Sequence, residues 1–257
     1  MHHAELETFR LHARLPSFRR RVREAMSIVR QATAIGGVWA CCVSGGKDST
    51  VLTDLCVRTG WRGPLFNFRD PETPDENTEL CARLAERYGL DLEICDVPGA
   101  FDVYEEIGHF FTYPTTDAER AATRAMISGW KRVVGEFTQA QGWSGHFWGL
   151  RKGESRPRNL MLAKKGPIYR VHDRPTWTAC PLARWTGRDV WAYTVKYDLP
   201  WLSCYDDAQD KERQRSQPIW LSEESVWAFG QGQEMRRRDL KKWIELIRRF
   251  PELSQFS

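Results

Sequence analysis

Val38-Trp39-Ala40-Cys41-Cys42-Val43-Ser44-Gly45-Gly46-Lys47-Asp48-Ser49-Thr50-Val51-Leu52 runs from a short apolar segment through a polar glycine pair into an apolar-periodic one. That order predicts a strand, a tight loop and a helix, with the loop at the strand's C-terminal end. The first amides of such a helix lack an intrahelical acceptor and sit on a positive dipole end, so the loop suits a phosphate group. Gly45 and Gly46 allow the backbone to approach that group because no Cβ intervenes. Lys47 adds a full charge, and Ser44, Ser49 and Thr50 add hydroxyls. Asp48 falls in the first helical turn, where a carboxylate suits the dipole and could also face a metal ion.

The pattern is not the Walker loop, which needs four residues between its first glycine and the Gly-Lys pair. Working outward, Ser17 is expected to cap a helix carrying Phe18, Val22, Met26 and Val29 on one face, ended by Gly36-Gly37. Arg19, Arg20, Arg21 and Arg23 on its other face read as a solvated surface. Downstream, Leu65–Phe68 and Leu90–Val97 read as strands on either side of a helix through Leu80, Leu84 and Tyr88. Strand and helix alternating with short links is the pattern of a parallel α/β sheet, which binds ligands beyond the strand C-termini. The polar loop Arg69–Glu76, with Asp70, falls at that edge. Phe101–Pro114 reads as irregular, Asp117–Gln139 as a long helix, and His146–Leu150 as a fourth strand. Tyr169–Trp177 reads as short and extended. In Pro181–Leu199, Thr186 and Asp189 have capping-box spacing before Val190, Trp191 and Val195. Asp206–Gln217 reads as a polar linker, and Arg236-Arg237-Arg238 opens a final amphipathic helix.

The chain has 257 residues and a formal charge of +4, which fits one large α/β domain with appendages and argues for no particular polyanion. Without a long apolar run or an apolar N-terminal segment, neither a membrane span nor a signal peptide is expected. The seven cysteines have no zinc spacing, so free thiols in a reducing cytoplasm are expected.

A second cluster, Gly149-Leu150-Arg151-Lys152-Gly153-Glu154-Ser155-Arg156, directly follows the fourth strand. Arg151 and Arg156 suit a phosphate or sulfate, because the guanidinium fork binds such groups bidentately. His109, His146 and His172 are isolated and read as packing residues.

Ser44–Ser49, SGGKDS, resembles the pyrophosphate-binding PP-loop of the ATP-α-hydrolase superfamily. Gly149-Leu150-Arg151 with Glu154-Ser155-Arg156 resembles an element of phosphoadenylyl-sulfate reductases, related to one in the small subunit of heterodimeric ATP sulfurylase. Cys180-Pro181-Leu182 with Trp185-Thr186, Asp189-Val190-Trp191 and Leu199-Pro200 is similar to a further segment of that family. The resemblance implies a doubly wound parallel sheet with helices on both faces, with a domain at residues 38–205. Helical extensions would occupy residues 1–37 and 206–257. It implies ATP and Mg2+ as ligands, with Asp48 as the metal-binding carboxylate. Lys47, Asp48, Arg151 and Arg156 become the catalytic candidates. Ser44, Gly45, Gly46, Ser49, Thr50, Asp70, Gly149, Glu154 and Ser155 join Lys47 and Asp48 as nucleotide-binding candidates.

The departures bear on the reaction. Asn67-Phe68-Arg69-Asp70-Pro71 stands where the family usually has Asp-Thr-Gly, leaving Glu72 or Glu76 as the following carboxylate. No cysteine follows Cys204, and Cys204 lacks the Glu-Cys-Gly surroundings of the reductase nucleophile. These departures disfavour reduction, and the resemblance then implies attack on the α-phosphorus of ATP with release of pyrophosphate. The role served would be DNA or RNA sulfur modification, as in related PP-loop proteins of DNA phosphorothioation systems. Sulfonucleotide metabolism and non-catalytic nucleotide sensing inside a larger complex are the alternatives. The basic terminal helices offer a surface to a nucleic acid or an acidic protein partner.

Overall fold

The computed structural model describes residues 3–71, 73–111, 114–170, 176–206, 236–237 and 239–256. Arg238, Glu72, His172 and nearly all of the expected polar linker lie outside the described residues. The chain divides into two compact units. The first comprises residues 1–67, 76–94 and 138–214; the second comprises residues 68–75, 95–137 and 215–257.

In chain order the elements begin with helices α1 (His3–His12) and α2 (Pro16–Thr33), then β1 (Val38–Cys42), α3 (Lys47–Arg58) and β2 (Leu65–Arg69). Helix α4 (Asp75–Tyr88), β3 (Leu92–Asp96), α5 (Ala100–Ile107), α6 (Asp117–Ala140) and β4 (Trp143–Phe147) follow. The chain continues with α7 (Arg156–Lys165), β5 (Ile168–Arg170), β6 (Trp177–Ala179), α8 (Gly187–Lys196) and α9 (Leu240–Arg249). One six-stranded sheet results, in the order β3-β2-β1-β4-β6-β5. β1 pairs in parallel with both β2 and β4, and β4 in parallel with β6. From β1 the chain winds outward through β2 and β3, then returns to lay β4 on β1's other side. Right-handed crossovers in opposite directions place helices on opposite faces, which is the doubly wound α/β fold. The reversal makes the gap between β1 and β4 the switch point.

Several local expectations are corrected. The sheet is mixed, because β5 runs antiparallel to β6 at the edge. Strand β4 starts and ends three residues earlier than the apolar run suggested. Trp148 still donates its amide to the Ala179 carbonyl at 2.8 Å, but its side chain and that of Leu150 pack on the cluster of Leu162, Cys180 and Ala183. Ser17 does not cap α2; Pro16 starts that helix, its fixed φ suiting a first helical position. Residues 100–107, expected to be irregular, form α5, which Gly108 ends at φ 85°.

The N-terminal helices are tied to α8 by one buried carboxylate. Asp189 closes the capping box with Thr186, whose amide donates to Oδ2 at 2.7 Å. Its Oδ1 meets Arg21 Nη1 and His12 Nε2, both at 2.8 Å, although its side chain is 0 % exposed. Arg21, expected on a solvated face, is therefore an internal partner, while Arg19, Arg20 and Arg23 are exposed. Phe9 stacks on Trp191 beside it.

Burial alone would raise the Asp189 carboxyl, but hydrogen bonds from His12 and Thr186 and the Arg21 charge together hold it below the usual value. A depressed carboxylate stabilises the fold above its unfolded value near 3.9, and that contribution is lost as pH falls through the folded-state value. Asp189→Asn should therefore cost about 2–3 kcal/mol at neutral pH, because it leaves half-buried Arg21 without its counter-charge. The gap to wild type in thermal unfolding should narrow once the pH falls below about 4.

In the second unit, Phe101, Tyr104, Phe110, Phe111 and Met126 share a core with Trp243, Leu246, Phe250 and Leu253. Helix α9 starts at Leu240, capped by Asp239, whose carboxylate accepts from the Lys242 amide at 2.9 Å. Part of its basic face is used internally: Lys242 Nζ donates to the Thr73 carbonyl and Arg249 pairs with Glu105. Among the described residues no helix is long and apolar enough to cross a membrane.

Candidate phosphate-binding site at the switch point

Cys41 of β1 lies beside Phe147 of β4, so the loops after these two strands leave the sheet side by side. The first is Ser44–Gly46, leading into α3; the second runs from Trp148 to Ser155, leading into α7. Predicted residues far apart in sequence thereby share the switch point, within the first unit.

The loop after β1 is shaped by its own polar groups. Ser49 Oγ donates to the Gly46 carbonyl at 2.9 Å and accepts from the Ser44 amide at 3.1 Å. Asn77 Nδ2 donates to the Ser44 carbonyl at 3.0 Å, tying the loop to α4. Gly45 adopts φ +72°, and a Cβ there would lie 2.7 Å from the Asn77 carbonyl oxygen. The first intrahelical bond of α3 runs from the Thr50 amide to the Gly46 carbonyl. The amides of Gly46, Asp48 and Ser49 have no acceptor among the described residues, so a helix N-terminus offers donors to an anion. Thr50 is buried in that first turn.

Three charged side chains close over these amides. Lys47 and Arg151 are only 5 % and 6 % exposed. Between them stands Asp48, with Oδ2 2.7 Å from Lys47 Nζ and Oδ1 2.5 Å from Arg151 Nε. Lys47 Nζ also lies 5.7 Å from the centre of the Tyr205 ring. Gly149 keeps this packing possible, since a Cβ there would sit 3.3 Å from the Asp48 backbone.

Glu154 and Ser155 shape the loop. Glu154 Oε2 accepts from the Arg151 amide and pairs with Arg158, both at 2.8 Å, while Ser155 Oγ caps α7 by accepting from the Arg158 amide. Arg156, by contrast, is exposed on the first turn of α7 and pairs with no carboxylate among the described residues. Asp70 is buried in the 68–75 segment, which belongs to the other unit. Glu76 has a tethering role, accepting from the Ser203 amide at 2.7 Å and its hydroxyl at 3.0 Å.

Asn77 and Tyr205 were not singled out from the sequence. Asn77 opens the helix after β2, at the ligand edge, and that position was its available signal. Tyr205 had none, because only folding brings residue 205 to residue 47.

A magnesium ion held by Asp48 does not fit this donor set. At a nucleotide site such an ion is held by one or two carboxylates together with substrate phosphates, and here both oxygens of the one carboxylate face cations that the ion would have to displace.

The thiols are withdrawn. All seven cysteines are free and buried. Burial pushes the Cys180 thiol up to about 12, so it is not a thiolate near neutral pH. Cys180→Ala should leave turnover within about twofold of wild type in a steady-state assay, whereas a nucleophilic role would abolish it.

A six-stranded doubly wound sheet with an amide-and-cation cradle at its switch point defines a nucleotide-binding α/β protein. The phosphoadenosine phosphosulfate reductase domain matches residues 39–211, and the chain belongs to that family. It is 26% identical over 216 residues to sulfate adenylyltransferase subunit 2 of Rhizobium meliloti, covering 74% of this chain and 68% of the relative. It is 24% identical over 234 residues to phosphoadenosine 5'-phosphosulfate reductase of Xylella fastidiosa, covering 88% and 91%. A solved phosphoadenylyl-sulfate reductase from Candida auris superposes with a TM-score of 0.52 at 13% identity, covering 80% of this chain and 92% of that one. An FMN adenylyltransferase from Candida glabrata gives 0.52 at 16%, covering 74% and 60%.

Proposed function

We propose that the chain binds ATP with its terminal phosphates in the Ser44–Ser49 loop and transfers the adenylyl group to an acceptor, releasing pyrophosphate. The observation that carries this reading is the burial of Lys47 and Arg151 together beside the open amides of Gly46, Asp48 and Ser49. Two cations and a helix N-terminus confront one carboxylate, and that surplus of donors suits a group of higher negative charge. In the proposed reaction Lys47 and the loop amides hold the leaving pyrophosphate and lower the cost of its charge. Arg151 neutralises the α-phosphoryl oxygens as the acceptor oxygen forms a P–O bond and the bridging oxygen departs with pyrophosphate. Exposed Arg156 orients an anionic acceptor.

The burial of all seven cysteines weighs against thiol-dependent reduction. The relatives named as sulfate adenylyltransferase subunits support sulfate as an acceptor and a larger complex as the setting. A nucleic-acid acceptor in sulfur modification is the second form of the same chemistry, supported by the exposed Arg156 and the basic residues of α9.

The test is incubation with ATP and magnesium, alone and with sulfate, DNA or tRNA, followed by quantification of pyrophosphate and the adenylylated product. Pyrophosphate stimulated by one acceptor identifies it. ATP binding without pyrophosphate in any arm would reject catalysis in favour of a nucleotide sensor.

A further inference from the structure

Asp48 is the feature that the proposed chemistry leaves unexplained. It is the acidic member of the loop, 17 % exposed by side chain, yet its Oδ2 accepts from Lys47 Nζ at 2.7 Å and its Oδ1 faces Arg151 Nε in an ion pair without hydrogen-bond geometry. Neither cation is accessible enough to be neutralised by water, and a buried unpaired charge is strongly unfavourable. Among the described residues the other carboxylate partner of Arg151 is distant, Glu154 Oε1 at 3.9 Å from Nη2, and Glu154 already serves Arg158. Asp48 is therefore what makes the ligand-free site tolerable.

We infer that Asp48 is an internal counter-ion standing in for a phosphate, and that an incoming phosphate displaces it from Lys47 and Arg151 without a protein-bound divalent metal. A carboxylate oxygen and a phosphate oxygen make equivalent contacts with an ammonium and a guanidinium group. The exchange is favourable because a phosphate also reaches the amides of Gly46, Asp48 and Ser49, which have no acceptor among the described residues. Asp48 alone of the three side chains is open enough to turn towards water when released. Lys47 and Arg151 thus stay paired in both states, and only the anion changes. No bond is made or broken in this step. The inference rests on the phosphate-binding part of the proposed function and assigns its anion selectivity to competition within the loop.

The two roles available to Asp48 predict opposite signs. Removing a metal ligand weakens phosphate binding, whereas removing an internal competitor strengthens it. Calorimetric titration of the full chain with inorganic pyrophosphate and with ATP, in EDTA and in magnesium, separates them. The wild type should bind pyrophosphate in EDTA within about threefold of its affinity in magnesium, and Asp48→Asn should bind it about tenfold more tightly, as expected for relief of competition between like charges. The variant should also melt lower than wild type when empty and gain more from pyrophosphate in a thermal-shift measurement.

Binding that needs magnesium, or that falls or stays unchanged in Asp48→Asn, would overturn the counter-ion role while leaving nucleotide binding intact. Failure of pyrophosphate and ATP to bind in every condition would overturn both. Should Asp48→Asn not fold, Asp48→Ser is titrated in its place, with the same tightening expected and the same loss or absence of change overturning the role.

Discussion

Lys47→Ala should lower the rate of pyrophosphate release by roughly 10²–10³-fold, the range seen when one preorganised donor is removed from a developing negative charge. Arg151→Ala should fall in the same range. Both side chains are almost completely buried, so neither can be replaced by solvent, and both act through short contacts rather than diffuse field effects. Losing either leaves Asp48 paired with the other cation, whereas losing both leaves an unpaired carboxylate beside the phosphate, so the double variant should lose more than the product of the two single effects. Single-turnover measurements with saturating ATP check this, since a defect confined to binding would disappear at saturation. Rates within a few-fold of wild type for either variant would place the chemistry elsewhere.

Gly45→Ala is expected to be nearly as severe for a different reason. The residue sits at φ +72°, where an L side chain costs about 1–2 kcal/mol, and its Cβ would strike the backbone of Asn77 rather than a movable side chain. The loop must shift, and a displacement of about 1 Å at a reacting group costs roughly 10²-fold in rate. Gly129→Ala provides the control. That glycine lies inside α6 with open space around it, and alanine there should raise stability by about 0.5–1 kcal/mol. Thermal unfolding and pyrophosphate release, measured on both variants, separate a distorted loop from general glycine intolerance.

The strands and helices around the loop were legible because their signals are local. Apolar residues in β1 running into Gly45-Gly46 and a periodic α3 leave few alternatives, and Thr186 with Asp189 announces the start of α8 within four residues. The errors came where local and tertiary demands diverge. Trp148 and Leu150 look like strand residues, but β4 ends before them and their side chains pack on Leu162 and Cys180. Arg21 looks solvated in a run of arginines, yet it is drawn inward by Asp189, 168 residues away. Phe101 and Tyr104 gave no clear helical period, because α5 is stabilised by the aromatic core of its own unit.

The sequence alone placed a glycine-bearing loop after β1 and an arginine-bearing loop after β4. It also carried the family resemblance, since both loops are contiguous motifs. Which of their charges meet was set by the packing of the folded chain. The reversal of strand order at β1 sets the two loops side by side, and burial then forces each cation to find an anion. Asp48, which the sequence offers as a metal ligand, is claimed by Lys47 and Arg151, and among the described residues no other carboxylate pairs with both.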